Sequence, residues 1–220
     1  MKTKLVALAL LPLVSCAVIA VEDESEMRSD HSLGHDRDHH ERSIEWIDFG
    51  EDPMANPEFM SALMALGTPG PAHAELAKGV GEFDVSGQMW TAPEVSMPMI
   101  GTAQTEMILG GRYLVQHYQS DFMGMPFEGM MIMGFDNLSN EYWNIWIDTF
   151  STGPTMAHGE ELKGGDVQMH GMMRDPMTPN GRPYRSMMTV GDDGDFTMSM
   201  YDTLPDGSEY QTMELTYKKR

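Results

Sequence analysis

From residue 82 to the C-terminus, apolar and polar positions alternate in short runs, the period of a half-buried β-strand. The first run sets Phe83, Val85 and Met89 against Asp84, Ser86 and Gln88. Further runs cover 102–109, 112–120, 127–135, 141–149, 154–160, 166–174, 183–190, 195–202 and 208–217. The breaks hold hairpin formers: Asp136-Asn137, Gly164-Gly165, Asn180-Gly181, Asp192-Asp193-Gly194 and Asp206-Gly207. No long helical period interrupts the series, which excludes the βαβ units of dinucleotide folds. The pattern predicts an all-β domain, an antiparallel up-and-down β-barrel of about ten strands, because closure removes the edges a long meander would expose.

Before the strands the period is helical. Asn56-Pro57-Glu58 combines an N-cap, a first-turn proline and an early acidic residue, and Gly67 supplies a stop. Phe59, Leu63, Met64 and Leu66 lie on one stripe between them. A second short helix is predicted from Pro71 to Lys78, carrying His73, Leu76 and Ala77. One or two short helices over 53–80 are thus expected to cap one end of a barrel formed by 81–220.

The first residues read as an address. Lys2 and Lys4 precede an apolar run, Leu5 to Val14, broken only by Pro12 and too short to span a bilayer as a helix. It ends in Leu13-Val14-Ser15-Cys16, which resembles the lipobox of bacterial lipoproteins. That resemblance implies a signal peptide over 1–15, acylation of Cys16 and a bilayer anchor. Two or three acyl chains hold where one would be marginal. Ala17 after the cysteine implies the outer membrane, with the protein facing the periplasm. Residues 16–52 follow as a tether: 21–52 hold 12 acidic and 3 basic residues and too few apolar ones to offset the entropy of ordering. Within it, His31, His35 and His39 recur every fourth residue beside His40, a donor set that suits zinc, nickel or cupric ions if the segment turns helical. A plain solvated spacer is the simpler reading of the same residues.

Charge narrows the partners. With 34 acidic and 14 basic side chains the formal net charge is −20, leaving no basic surplus to displace counterions from nucleic acid. The single cysteine excludes a disulfide scaffold and thiol redox chemistry in the body.

Several short segments stand out along the body: Thr68-Pro69-Gly70-Pro71, Leu109-Gly110-Gly111-Arg112-Tyr113-Leu114, Met123-Gly124-Met125-Pro126-Phe127-Glu128-Gly129, Gly134-Phe135-Asp136-Asn137, Trp146-Ile147-Asp148, Asp175-Pro176-Met177-Thr178 and Met213-Glu214-Leu215-Thr216-Tyr217. Together they resemble a bacterial family known as domain of unknown function 1579. Phe135 departs from the tyrosine expected there. The resemblance implies a lipocalin-like, calycin-type barrel and no established activity.

Chemistry is sparse. No Gly-x-Ser-x-Gly elbow, His-Glu-x-x-His or phosphate-cradling loop occurs, so no enzyme class is indicated. Small barrels hold packed side chains or one apolar ligand. The run Tyr142-Trp143-Asn144-Ile145-Trp146-Ile147-Asp148 is the richest lining, one parity offering Tyr142, Asn144, Trp146 and Asp148, the other Trp143, Ile145 and Ile147. A ligand is expected to meet Trp143, Trp146, Met131 and Met133, with Asp148 or His117 orienting its polar end. Asp148 tied to a turn or to an arginine is the structural alternative.

Two features leave a metal carrier open as a second reading. Histidines at 73, 117, 158 and 170 would need to converge, and 24 methionines are an excess that suits either cuprous ion or an adaptable core. Met97, Met99 and Met125 stand beside prolines in expected loops. No cofactor is called for beyond such an ion.

Overall fold

A computed structural model describes residues 47–220, apart from 51, 93, 192, 193, 205 and 206. The signal, Cys16 and the histidines at 31, 35, 39 and 40 lie outside the described residues, as do the expected turn residues Asp192, Asp193 and Asp206.

Residues 66–220 form one compact unit, and the described residues before them belong to another. In the earlier unit a 3₁₀ turn, Pro53–Ala55, leads into α1 (Pro57–Leu66). The Asn56 side chain caps α1 as its spacing predicts, Oδ1 accepting from the N–H groups of Glu58 (2.8 Å) and Phe59 (3.3 Å). Its Nδ2 donates to the Phe49 carbonyl, and the Phe49 and Phe59 rings meet edge to face.

The larger unit opens with α2 (Pro71–Lys78), where His73 Nδ1 accepts the Gly70 N–H at 3.0 Å. Ten strands follow: β1 (Gly81–Ala92), β2 (Val95–Ile108), β3 (Tyr113–Phe122), β4 (Met125–Asp136), β5 (Glu141–Asp148), β6 (Thr155–Glu161), β7 (Val167–Met173), β8 (Arg182–Val190), β9 (Phe196–Thr203) and β10 (Glu209–Lys219). Each pairs antiparallel with the next, and β1 pairs with β10 from Phe83↔Lys219 to Met89↔Met213, which closes the barrel. Closure gives every central backbone a partner on both sides, the reason a meander this long curls shut.

β2 and β4 reach further than the alternation predicts. Met97 and Met99, expected in a loop, lie in β2, and Met99 is buried; Met125 opens β4. Pro98 is tolerated in a strand because β3 pairs with β2 only from Gly101 onward. At Pro98 the strand has β1 alone as neighbour, so the missing N–H costs no ladder bond on the free side.

Inside, two apolar clusters face each other. One gathers Phe83, Val85, Met99, Tyr118, Phe127, Leu215 and Tyr217; the other gathers Leu76, Leu114, Met133, Tyr142, Met169 and Tyr184. Leu76 of α2 joins the second cluster, so this helix plugs the barrel end next to β3 and β4. Asn137 in the β4–β5 turn secures the chain before α2 through Nδ2, which donates to the carbonyls of Leu66 (3.2 Å) and Thr68 (2.9 Å). Among the described residues no helix is long and apolar enough to cross a membrane, a statement that does not bear on the barrel.

Candidate functional site

Between the two clusters lies a cavity of about 140 Å³. Ten of its twenty-two lining residues are methionine, including Met131 and Met133 of β4, Met169 of β7 and Met198 and Met200 of β9. Alternation of side chains along each strand decides which residues reach it. On β5 the inward parity is Tyr142, Asn144, Trp146 and Asp148, of which Asn144 and Trp146 line the cavity.

The cavity persists because three inward aromatics lie against the wall instead of across the lumen. A Cβ at Gly129 would stand 2.3 Å from the Trp146 ring, so the indole occupies the space a side chain would take. Gly101 in the same way receives Tyr118, whose ring and hydroxyl come within 2.9 Å of a Cβ position, and Gly171 receives Tyr184. Trp146 is further fixed at its far edge, where Nε1 donates to Asp148 Oδ2 at 2.7 Å. Asp148 Oδ1 accepts the Phe150 N–H at 2.8 Å, so this carboxylate ties the turn to the indole. Phe127 stacks beside Trp146 at 20° and Tyr118 tilts against it.

Polar groups on the lining are few. Gln116 is 3 % exposed, and among the described residues no hydrogen bond reaches its amide, which borders the cavity. The Tyr118 hydroxyl is buried without a well-formed partner; Ser120, two residues along the same strand face, is its polar neighbour and is equally unmatched. Burial raises the pKa of the Tyr118 phenol, pushes that of Tyr184 up to about 12 and raises that of Tyr217 as well. All three phenols therefore stay neutral donors at physiological pH. Asn144 donates to the Met169 sulfur at 3.4 Å. The arrangement offers soft apolar walls and uncharged donors, and among the described residues no Asp, Glu, His, Lys or Arg lines the lumen.

The six residues expected on the lining divide. Met131, Met133 and Trp146 line the cavity, and Asp148 holds Trp146 by its N–H. Trp143 and His117 do not face it. Trp143 has the opposite parity and lies on the outer wall, over Gly134 and against the Tyr113 ring. His117 is exposed on β3, flanked by the inward Gln116 and Tyr118. The four body histidines do not converge inside: His73 caps α2, while His117, His158 and His170 are exposed.

Sequence reading missed Gln116, Tyr118, Tyr184 and the β9 methionines. The parity of Leu114 and Tyr118 could have flagged Gln116, but Leu114, Val115 and Gln116 are all buried, which blurs the alternation. It also missed a buried charged cluster at the barrel end opposite α2. Arg182 pairs with Asp175 and, through Nε at 2.7 Å, with Asp202. Burial opposes the charge on Asp175, yet hydrogen bonds from Arg182 and Thr178 outweigh it and hold the carboxyl below its ordinary range. Burial wins at Asp202, whose Oδ1 is unpartnered, and raises it despite Arg182.

A family model described as a protein of unknown function, DUF1579, matches residues 68–219, from the approach to α2 to the end of β10. No curated protein matches the chain.

Proposed function

Since the chain belongs to the DUF1579 family, which brings no activity with it, function rests on the barrel's interior, and we propose that the barrel is a binding module for a small apolar or amphipathic molecule. The cavity carries this reading. A barrel of this size holds either packed side chains or one small ligand, and here a void remains where aromatics are drawn back against glycines. Its volume, about 140 Å³, compares with the roughly 150 Å³ engineered cavity that stays dry and admits benzene. Methionine side chains can swing to enlarge it, being unbranched and polarizable. Gln116 and the tyrosine hydroxyls would read one polar group on the ligand, a lipocalin-like use of the barrel mouth.

The same proposal includes an envelope lipoprotein, anchored by acylated Cys16 and carried on the acidic tether in the periplasm. The lipobox Leu13-Val14-Ser15-Cys16 supports it. The outer wall supports it too: β1 turns Glu82, Asp84, Ser86 and Gln88 to solvent, the reverse of a barrel that meets lipid along its sides.

The test uses full-length protein labelled on its methionine methyl carbons and exposed to benzene, xenon and a panel of alkylphenols. Resonances of Met131, Met133, Met198 and Met200 are expected to shift together and saturably. Ser186→Phe, which fills the cavity, should abolish the shifts without unfolding the chain. Unshifted methyls throughout, or equal shifts in the filled variant, would refute the reading.

A further inference from the structure

The outer wall holds a second candidate site, independent of the cavity. In the β6–β7 ladder, Met156 stands opposite Met172 and His158 opposite His170. All four side chains are exposed and share the outer face, while Ala157 on β6 and Met169 and Met173 on β7, of the opposite parity, are buried. Directly opposed Cβ atoms in an antiparallel pair lie about 5 Å apart. Positions two apart along a strand are separated by about 7 Å. The four Cβ positions therefore form a compact rectangle, from which two thioether and two imidazole arms can close on one ion.

We propose that Met156, His158, His170 and Met172 form a binding site for a cuprous ion. The donor set selects the metal: thioethers are soft ligands that suit Cu(I), and imidazole suits copper as well. Among the described residues no three His, Cys, Asp or Glu side chains are placed to share an ion, so the thioethers are required to complete the coordination. Gln168 lies 3.1 Å from His170 Nε2; with its amide oxygen turned to accept the N–H there, Nδ1 is left unprotonated, the form a metal needs.

The surroundings tolerate a cation. Arg185, opposite His170 on β8, is engaged by Glu209 at 2.7 and 2.8 Å and lies over the Tyr201 ring. Glu160 is exposed two residues beyond His158 on the same face. Trp143 sits opposite His158 on β5, so an indole flanks the ladder and supplies a spectroscopic reporter. Binding involves no change of oxidation state: copper enters and leaves as Cu(I).

The experiment uses the full chain with His31, His35, His39 and His40 changed to Asn, so that the tether contributes nothing. Under reductant, Cu(I) is competed against a chromogenic cuprous chelator, and sulfur and nitrogen ligation is read by X-ray absorption. One Cu(I) per chain is expected, with mixed sulfur and nitrogen ligands and quenching of Trp143 emission. His158→Asn with His170→Asn, and separately Met156→Leu with Met172→Leu, should each weaken binding at least about tenfold. His117→Asn, elsewhere on the outer wall, should leave it unchanged. Undiminished affinity in either double variant, or zinc bound as tightly as Cu(I), would overturn the site. Methyl shifts with benzene and xenon are read in metal-free protein, so either reading can fail without the other.

Discussion

Trp146 is the residue whose position most depends on its neighbours having no side chain. Its ring fills the space above Gly129, and its N–H is spent on Asp148. Gly129→Ala should force the indole toward the lumen, breaking that hydrogen bond and costing about 1–3 kcal/mol as an overpacked core does. Near-ultraviolet circular dichroism and benzene titration check it: the aromatic signal changes and the cavity shifts weaken together. A variant that keeps both would show that the glycine does not hold the cavity open.

Asp175 and Asp202 share Arg182 yet respond to pH with opposite sign. Asp175, held below its ordinary range, adds stability that is complete above the unfolded value near 3.9 and lost as pH falls through the lower folded value. Asp202, raised by burial, favours the folded state at low pH and loses that contribution as pH rises through its folded value. Asp175→Asn is therefore expected to cost more at pH 7 than Asp202→Asn, and to flatten the acid limb. Arg182→Leu strands two buried carboxylates and should cost about 3–5 kcal/mol, the usual penalty for breaking a buried pair from one side. Urea midpoints from pH 7 to pH 3 decide the order.

At the scale of elements, α2 is the clearest case of packing turning a short helix into structure. Eight residues are marginal alone in water, and this helix stands because Leu76 enters the barrel end and His73 caps its first turn. Leu76→Ala should destabilise the barrel unit by about 2–5 kcal/mol. Hydrogen exchange should then show α2 amides opening before those of β3 and β4. Exchange that stays uniform would argue that α2 is ornamental. β10 shows how an element departs from its sequence period: the pairing skips between Gln211 and Met213, so Thr212 forms a bulge and is itself buried. That bulge places Met213 opposite Met200 and lets it line the cavity, which strict alternation from Tyr210 would deny.

For the whole molecule, the proposed anchor at Cys16 makes its own prediction. Cys16→Ser should release the protein from envelope membranes into the soluble fraction and abolish incorporation of labelled palmitate. Retention with Ser at 16 would remove the anchor from the proposal. The barrel's stability should not respond, because Cys16 lies outside residues 66–220.

Turn residues and strand periods on the chain were enough to write the barrel, because glycines at 164, 165 and 181 adopt positive φ at hairpins and alternation has only one period to follow. The helix bounds were equally legible, since Pro71 and Lys78 mark them in the residues themselves. Half of the site was not. Met131, Met133 and Trp146 reach the lumen, but Trp143 and His117 turn away, because parity on any one strand is fixed only when the neighbouring strands take their register. The cavity depends on rings of one strand lying over glycines of the next, a relation between residues about seventeen apart at Gly101–Tyr118 and Gly129–Trp146. The His158–His170 and Met156–Met172 pairs are likewise invisible until β6 and β7 align. Local chemistry along the chain determined where it turns and which residues avoid water; only closure of the sheet decided which of those residues meet, since contact across strands is a property of register and not of sequence order.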